Sequence, residues 1–192
     1  MTILSKEFYI RNDVVAVSKD LLGKILYTNI SGCITGGIIT ETEAYAGVND
    51  KASHAYNSLR TKRTEVMFME GGVSYVYLCY GIHHLFNVVT NQKDIPHAVL
   101  IRAIKPLEGV EEMLKRRKMV KINEKTASGP GTVSQALGIT TSLSGTSLNS
   151  PVIWIEDQGI VVHESQIAIG VRIGVDYAEE DALLPYRFNL TL

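Results

Sequence analysis

The stretch Gly-Ile-Ile-Thr-Glu-Thr-Glu-Ala-Tyr, residues 37–45, forms most of a strand that the sequence predicts over residues 34–45. Side chains alternate between the two faces of a strand, so Glu41, Glu43 and Tyr45 share one face. Two neighbouring carboxylates raise the pKa of at least one of them, and an oriented glutamate can act as a general base toward water. In isolation, however, such a pair is more typical of glutamates exposed on an edge strand.

Regular elements are predicted on both sides of this stretch, with no internal repeat. Further strands, rich in β-branched and aromatic residues, are predicted over 24–29, 73–79, 85–90, 98–104, 152–156, 159–163 and 186–190. Helices are predicted over 14–22 and 109–118, with a short one from residue 133. This order predicts one α+β domain spanning residues 1–192, built on a curved, largely antiparallel β-sheet with flanking helices. The polar segment 47–64 is long for a loop, and such loops are usually functional.

The composition is that of an ordinary globular protein. Apolar residues make up 45% of the 192 residues and charged residues 20%, and the net charge is -1. The sequence shows no signal peptide and no stretch apolar enough to span a membrane. The two cysteines, Cys33 and Cys79, are expected to be reduced and buried, which is typical of an intracellular protein.

The charges are distributed unevenly along the chain. Residues 1–125 carry 17 Lys and Arg against 13 Asp and Glu, whereas residues 126–192 carry 2 against 7. The basic residues cluster over 60–63 and 115–125. A basic face of this kind can bind phosphates although the whole chain is nearly neutral. Taken alone, however, a basic run on a helix is more often simply a solvated face.

Three tyrosines lie close together in the segment Ser-Tyr-Val-Tyr-Leu-Cys-Tyr-Gly, residues 74–81. Tyr75 and Tyr77 share one face of the predicted strand and can wall a flat pocket, while Tyr80 lies beside Gly81, where the chain turns. Aromatic side chains stack on nucleobases, and an exposed one at a hairpin tip can wedge between base pairs. Packing of the same tyrosines in a core is an equal alternative.

Arg102 lies within an apolar strand and needs an anionic partner, because an unpaired buried charge is costly. One of the two glutamates, 41 or 43, is the expected partner. A lone histidine such as His54 is more often a structural hydrogen-bonding group than a catalyst. The adjacent His83 and His84 point to opposite sides of a strand and cannot share an ion, so we predict no metal site.

Several motifs occur in a consistent order over nearly the whole chain. They are Glu41-Thr42-Glu43-Ala44-Tyr45, Ser53-His54-Ala55, Val66-Met67-Phe68-Met69, Tyr75-Val76-Tyr77 with Tyr80-Gly81, Phe86-Asn87-Val88, Leu100-Ile101-Arg102-Ala103, Pro106-Leu107-Glu108-Gly109, Ser128-Gly129-Pro130-Gly131, Gln135-Ala136-Leu137, Arg172-Ile173-Gly174-Val175 and Pro185-Tyr186-Arg187-Phe188. Together they resemble the alkyladenine (3-methyladenine) DNA glycosylase family. The resemblance implies a DNA-repair enzyme with a mixed fold, a curved antiparallel sheet, and neither a metal nor a redox cofactor.

The resemblance also implies a role for each matching residue of the site. Glu43 matches the glutamate that deprotonates the attacking water, and Arg102 matches an arginine that helps to hold this water. The groups that enclose and support the flipped base match Tyr45, His54, Tyr75 and Tyr77. Asn87 matches an asparagine whose side chain disfavours the exocyclic amine of guanine.

DNA contacts are implied as well. Tyr80 matches the tyrosine that fills the gap left by the flipped base, at the tip of a protruding, DNA-inserting β-hairpin. Arg60 and Arg63 are expected to bind DNA. The position after Gly131 is often lysine in the family and is Thr132 here, so one phosphate contact is expected to be missing.

The implied reaction is hydrolysis of the N-glycosidic bond of an alkylated or deaminated purine, such as 3-methyladenine, 7-methylguanine, hypoxanthine or ethenoadenine. No lysine lies near these motifs to act as a nucleophile, so we predict a monofunctional enzyme that leaves an abasic site. It is expected to act as a monomer on double-stranded DNA, away from membranes, in the cytoplasm at the nucleoid of a bacterium or in the nucleus of a eukaryote. Two alternatives stay open: a nucleoside hydrolase and a non-catalytic nucleic-acid-binding module.

Overall fold

An antiparallel sheet forms the framework of the molecule, which the computed structural model describes over residues 2–191. Within these residues the nine strands are β1 Thr2–Ile3, β2 Ile25–Ile30, β3 Cys33–Tyr45, β4 Ser74–Cys79, β5 His83–Thr90, β6 His97–Glu108, β7 Ile153–Asp157, β8 Ile167–Gly170 and β9 Arg187–Leu190. They pair in the order β1-β7-β2-β3-β6-β5-β4, and β9 pairs with both β3 and β8. The predicted antiparallel sheet is confirmed, whereas its curvature stays a prediction.

Short helices flank the sheet. Within residues 2–191 the α-helices are α1 Lys6–Tyr9, α2 Val14–Asp20, α3 Val110–Arg117 and α4 Pro130–Leu137. Asp13 caps α2, because its carboxylate accepts from the backbone N–H groups of Val15 and Ala16 at 2.9 and 3.0 Å. Gly138 ends α4 with a φ of 70°, a left-handed conformation in which glycine is little strained. Over the same residues no helix has the length and apolar character needed to cross a membrane.

The two faces of β3 pack against different layers. On one face, Thr42 donates to the carbonyl oxygen of Ser18 in α2 at 2.9 Å, and the two hydroxyls lie 3.0 Å apart. The other face holds Glu41, Glu43 and Tyr45, as strand alternation predicted. Strand β6 pairs along one side of β3, while β2 and β9 share the other side. Because β3 is a central strand, Glu43 is fully buried, and the alternative of exposed glutamates on an edge strand is wrong.

Two local expectations are corrected by the structure. No strand forms over 159–163; Ile160 and Val162 instead pack against Gly23, and the strand of this region is β8, which pairs with β9. Cys33 is exposed rather than buried, because it begins β3 directly after a turn, and Cys79 is half-buried. Both thiols are free, as predicted.

Candidate active site

A row of side chains crosses four adjacent strands on the face that holds Glu43. In the strand register Glu43 lies opposite Leu100 of β6, Leu100 lies opposite Asn87 of β5, and Asn87 lies opposite Tyr75 of β4. Cross-strand partners point to the same face of a sheet. The register therefore brings together three of the predicted site residues, although they are far apart in the sequence.

Irregular pairing between β3 and β6 places Arg102 beside both glutamates. The register shifts on either side of Glu41, and Arg102 is skipped in the pairing of the two strands. Such bulges re-aim side chains. The Arg102 guanidinium approaches Glu41 Oε1 through Nε at 3.1 Å and Glu43 Oε1 through Nη1 at 3.3 Å. The expectation that one of the glutamates pairs with Arg102 is confirmed, and in fact both do.

Glu43 is enclosed by three donors. Besides Arg102, the Tyr45 hydroxyl donates to Oε2 and the backbone N–H of Ile173 donates to Oε1, each at 2.8 Å. We call Glu43, Arg102, Tyr45 and Ile173 the Glu43 cluster. Burial raises the pKa of the Glu43 carboxyl, although Arg102 and the two hydrogen bonds act in the opposite direction. A buried, oriented carboxylate with a raised pKa is suited to take a proton from water near neutral pH.

Glu41 has a different environment from Glu43. Its Oε1 accepts from Arg102 and also from Nη1 of Arg187 in β9, both at 3.1 Å. One carboxylate thus bridges two guanidinium groups and holds Arg102 through its Nε, while Nη1 approaches Glu43. The spacing of Glu41 and Glu43 in the sequence does not show which of them is the base. Their hydrogen-bond partners distinguish them, because Glu41 bonds to two arginines and Glu43 bonds to Tyr45 and Ile173.

A cavity of about 270 Å³ adjoins the Glu43 cluster. The partners of Glu43 in the cluster, Tyr45, Arg102 and Ile173, all form part of its wall. The other predicted site residues on this wall are His54, Tyr75, Tyr77, Tyr80 and Asn87. Because five tyrosines and a histidine belong to the lining, the cavity suits a flat ring that is stacked from its sides.

His54 and two tyrosines form one side of the cavity. The rings of Tyr75 and Tyr77 stack with centroids 5.6 Å apart, and His54 meets Tyr77 edge-on at 4.5 Å. His54 Nδ1 lies 2.9 Å from the Tyr75 hydroxyl. Burial, with Arg63 nearby, lowers the pKa of His54 to about 4, so this ring is neutral at neutral pH. Within residues 2–191 no group of His, Cys, Asp and Glu side chains could hold a metal ion.

Tyr45 and Asn87 are held in place by neighbouring groups. The guanidinium of Arg172 covers one face of the Tyr45 ring at 4.9 Å. Burial and the adjacent Glu43 carboxylate raise the pKa of Tyr45 well above its ordinary value, so the phenol remains a hydrogen-bond donor. The side-chain amide of Asn87 donates to the carbonyl oxygen of Tyr75 at 3.2 Å. These contacts fix both side chains before any ligand arrives.

The hairpin of β4 and β5 ends in an exposed tip. Tyr80 and Ile82 are 91% and 71% exposed. Tyr80 and Gly81 have φ of 50° and 73°, and Ile82 N–H donates to the Cys79 carbonyl at 3.1 Å, which is the pattern of a type I′ turn. Gly81 adopts this conformation freely, whereas it strains Tyr80. The expected outward tyrosine is therefore present, while its insertion into DNA stays a prediction.

The comparisons with known proteins agree with this arrangement. A sequence model described as methylpurine-DNA glycosylase (MPG) matches residues 7–191. The chain belongs to this family. Proteins named "Putative 3-methyladenine DNA glycosylase" are 46% identical to it in Chlamydia pneumoniae, covering 98% of this chain and 95% of the relative, and 43% identical in Clostridium perfringens (strain 13 / Type A), covering 97% and 95%. A third, from Bacillus cereus (strain G9842), is 45% identical and covers 94% and 92%.

The two arginines expected at the DNA interface of this glycosylase differ in their partners. Arg60 pairs with Glu65 at 2.8 Å and with Asp94 at 2.9 Å. Arg63 makes no ion pair within residues 2–191 and lies close enough to His54 to lower its pKa. Arg63 therefore keeps its charge available near the cavity, whereas the charge of Arg60 is neutralised by its neighbours.

Sequence reasoning gave no role to several residues of the site. Ile173 contributes a backbone amide, which no pattern of side chains reveals, although the Arg172-Ile173 motif was part of the resemblance. Asp50 pairs with Arg172, the residue that covers the Tyr45 ring. It lies in the polar segment 47–64, which was predicted to be functional without any single residue being named. Tyr177 borders the cavity with 65% of its surface exposed, and a single tyrosine in an acidic segment gives no signal of its own.

Proposed function

We propose that this chain removes damaged purines from double-stranded DNA by hydrolysis, with Glu43 as the general base. The observation that carries the proposal is the Glu43 cluster at the wall of an aromatic cavity, where a buried carboxylate is held by a phenol, a guanidinium and a backbone amide. Membership of the methylpurine-DNA glycosylase family and the names of the relatives support this class of substrate.

The target base must leave the duplex, because its glycosidic carbon cannot be reached within the stack. In our proposal the base enters the cavity between Tyr45 and Tyr77. An alkylated purine such as 3-methyladenine or 7-methylguanine is cationic and gains cation–π attraction from these rings. For neutral lesions such as hypoxanthine or ethenoadenine, the ring nitrogen of His54 that does not face Tyr75 is the group left to bond with the base.

Asn87 is the proposed filter against normal guanine. Its amide nitrogen is engaged by the Tyr75 carbonyl, so the side chain is not free to rotate away from an incoming ring. The exocyclic amine of guanine would meet this fixed group, and a site that leaves polar groups unpaired rejects the wrong ligand. 7-Methylguanine carries the same amine, so in our proposal its cation–π attraction and its better leaving group offset this penalty.

The proposed chemistry involves one water molecule and one carboxylate. Arg102 holds the water while Glu43 takes its proton, and the oxygen attacks the anomeric carbon of the sugar. The N-glycosidic bond breaks with its electron pair moving to the base, so a cationic purine leaves as a neutral molecule, a neutral purine leaves as an anion that then takes up a proton from solvent, and an abasic site remains. None of the described residues lining the cavity is a lysine, which supports a monofunctional enzyme rather than one with a Schiff-base step.

The same proposal assigns the partner and its setting. The exposed Tyr80 beside the cavity mouth fits a double-stranded DNA partner, which a nucleoside hydrolase would not need. We propose that the protein acts on this DNA as a monomer. The relatives compared are bacterial, which supports action at the nucleoid in a bacterial cytoplasm.

The test is release of free base from duplex oligonucleotides that carry 3-methyladenine, 7-methylguanine, hypoxanthine or ethenoadenine. We expect wild-type protein to release at least one of them, and Glu43→Gln to lose about 100-fold or more of the rate, as for other general bases. Glu7→Gln, at an exposed position, serves as the matched control and keeps full activity.

Each other outcome has a defined meaning. Base release from free nucleosides but not from duplexes would replace the proposal with a nucleoside hydrolase. Binding of lesion duplexes without release of any base would indicate a non-catalytic module. Full activity in Glu43→Gln would leave the enzyme class in place and remove Glu43 as the base.

A further inference from the structure

A buried ion pair lies directly behind the Glu43 cluster. Asp50 and Arg172 are 2% and 4% exposed. Two parallel contacts join them, Nη1 to Oδ2 at 2.5 Å and Nη2 to Oδ1 at 2.9 Å. A bidentate pair of this kind fixes orientation as well as distance. Because burying two charges is costly and adds little to stability, the pair calls for a role beyond holding the fold together.

The pair connects three separate segments of the chain. Arg172 donates to the carbonyl oxygens of Ala44 at 3.0 Å and Asp181 at 2.9 Å. The Asp50 carboxylate accepts from the backbone N–H of Ala46 at 2.9 Å. The end of β3, the loop after it and the segment around 172–181 therefore share one anchor.

Two of these segments carry the hydrogen-bond donors of Glu43. Tyr45 follows Ala44 at the end of β3, and its ring is covered by the Arg172 guanidinium, which lies between it and Tyr186 at 4.9 and 5.3 Å. Ile173 directly follows Arg172, so the ion pair fixes the peptide unit that presents its N–H to Glu43. A shift of the guanidinium would move both donors at once.

We propose that Asp50 and Arg172 are positioning residues that hold the Tyr45 hydroxyl and the Ile173 amide on the Glu43 carboxylate. The inference rests on the proposed role of Glu43 as the base. Neither residue is among the described side chains that line the cavity, so both act through Glu43 and not on the DNA. A purely structural ion pair would change stability alone, whereas a positioning pair also changes how Glu43 binds its proton.

The direction of that change follows from the groups around Glu43. The titratable or charged side chains that face Glu43 are Arg102, Glu41, Tyr45, Tyr77 and Arg172. The hydrogen bonds from Tyr45 and Ile173 both lower the pKa of Glu43. Weakening them raises this pKa further, so the base is protonated, and therefore inactive, at a higher pH.

The experiment compares Arg172→Lys, which keeps the charge but loses the bidentate geometry, with wild type. Rates of base release under single-turnover conditions are measured against pH on the best lesion duplex. We expect the acid limb of the profile to move up by about one pH unit, so that the rate on the limb falls about tenfold. The affinity for the lesion duplex should change by less than threefold, about 0.6 kcal/mol.

Two further variants guard against loss of the fold. Tyr186→Leu removes one ring of the stack and leaves both charges, and we expect a shift of the limb in the same direction. Thr28→Ala is the matched control, since its buried hydroxyl donates to the Leu137 carbonyl at 2.7 Å on another part of the sheet. This control should lower the melting temperature without shifting the acid limb of the pH profile.

A second measurement separates this inference from the proposed function. Titration of ¹³C-labelled glutamate carboxyls by NMR, with Glu43 assigned from Glu43→Gln, reads the proton affinity of Glu43 without DNA or activity. A raised Glu43 pKa in Arg172→Lys and Tyr186→Leu would support the positioning role even if wild-type protein released no base. Folded variants with an unchanged titration and an unchanged limb would overturn the inference while leaving an active wild type, and hence the proposed function, intact.

Discussion

Both carboxylate oxygens of Glu43 have hydrogen-bond donors and no exposed surface, whereas Tyr80 at the hairpin tip has 91% of its surface in solvent. Strands β3 and β6 and a segment about 130 residues away build the first region, and a two-residue turn with positive φ builds the second. Preorganised buried groups act on the barrier of a reaction, while exposed aromatic groups act on the binding of a partner. We therefore expect mutations in the two regions to separate the chemistry from the engagement of DNA.

Removing the exposed ring is the strongest way to test this separation. We expect Tyr80→Ala to weaken binding of a lesion duplex by about 10- to 100-fold, because a stacked aromatic contributes about 1–3 kcal/mol per base. The melting temperature should stay within about 1 °C of wild type, since surface substitutions change stability little. Fluorescence anisotropy with lesion duplexes and thermal melting give the two readings.

Leu183→Ala, also at an exposed apolar position, is the control for Tyr80→Ala. It should alter neither reading. A melting temperature lowered by several degrees in Tyr80→Ala would mark the ring as part of the folded core. Unchanged affinity would remove the hairpin tip from the DNA interface.

The buried region should reveal itself in the pH dependence of the rate. Because the pKa of Glu43 is raised above its ordinary value of 4.5, mainly by burial, the rate should fall about tenfold per pH unit once the pH drops below this raised value. His54 does not contribute to this limb, since its pKa is lowered to about 4. Single-turnover rates between about pH 4 and 8 measure the limb, and a midpoint at 4.5 or below would contradict the buried environment of the base.

The two regions also differ in how far the sequence predicts them. The alternation that places Glu41, Glu43 and Tyr45 on one face, and the tyrosine beside Gly81, are local properties and were predicted. Ile173 could not be found in this way, because it acts through its backbone and reaches Glu43 across the whole fold. The strand expected over 159–163 was wrong because an apolar run by itself shows neither burial nor a pairing partner: Ile160 and Val162 pack against Gly23, while Val161 is 72% exposed.

Variants at Glu41 and Glu43 should differ in thermal stability. Because the pKa of Glu43 is raised in the folded protein, the folded protein binds a proton at Glu43 more tightly than the unfolded chain does. The free energy of unfolding therefore increases as the pH falls from the raised pKa to 4.5. At neutral pH the charged form is therefore unfavourable, and Glu43→Gln should melt at the same temperature as wild type or higher. Arg102 keeps a partner in this variant through Glu41.

Glu41→Gln should behave in the opposite way. It removes the charge shared by Arg102 and Arg187, and we expect a loss of about 2 kcal/mol, which is about 4–8 °C in a protein of this size. Differential scanning calorimetry of the two variants at neutral pH makes the comparison. An equal loss in both would show that Glu43 is a structural partner of Arg102 rather than a carboxylate held at a cost for catalysis.

The smallest effect concerns the two arginines that are expected to bind DNA, Arg60 and Arg63. Arg63→Ala should reduce the slope of log affinity against log salt concentration by about one phosphate contact, because Arg63 has no ion pair within the described residues and its charge can release a counterion from DNA. Arg60→Ala should leave the slope unchanged, since Glu65 and Asp94 already neutralise Arg60. Affinities for the same duplex between about 50 and 200 mM salt measure both slopes. If Arg60 proved the stronger contributor, DNA would have to displace both acids, and the segment around Arg60 would rearrange on binding instead of being preformed like the Glu43 cluster.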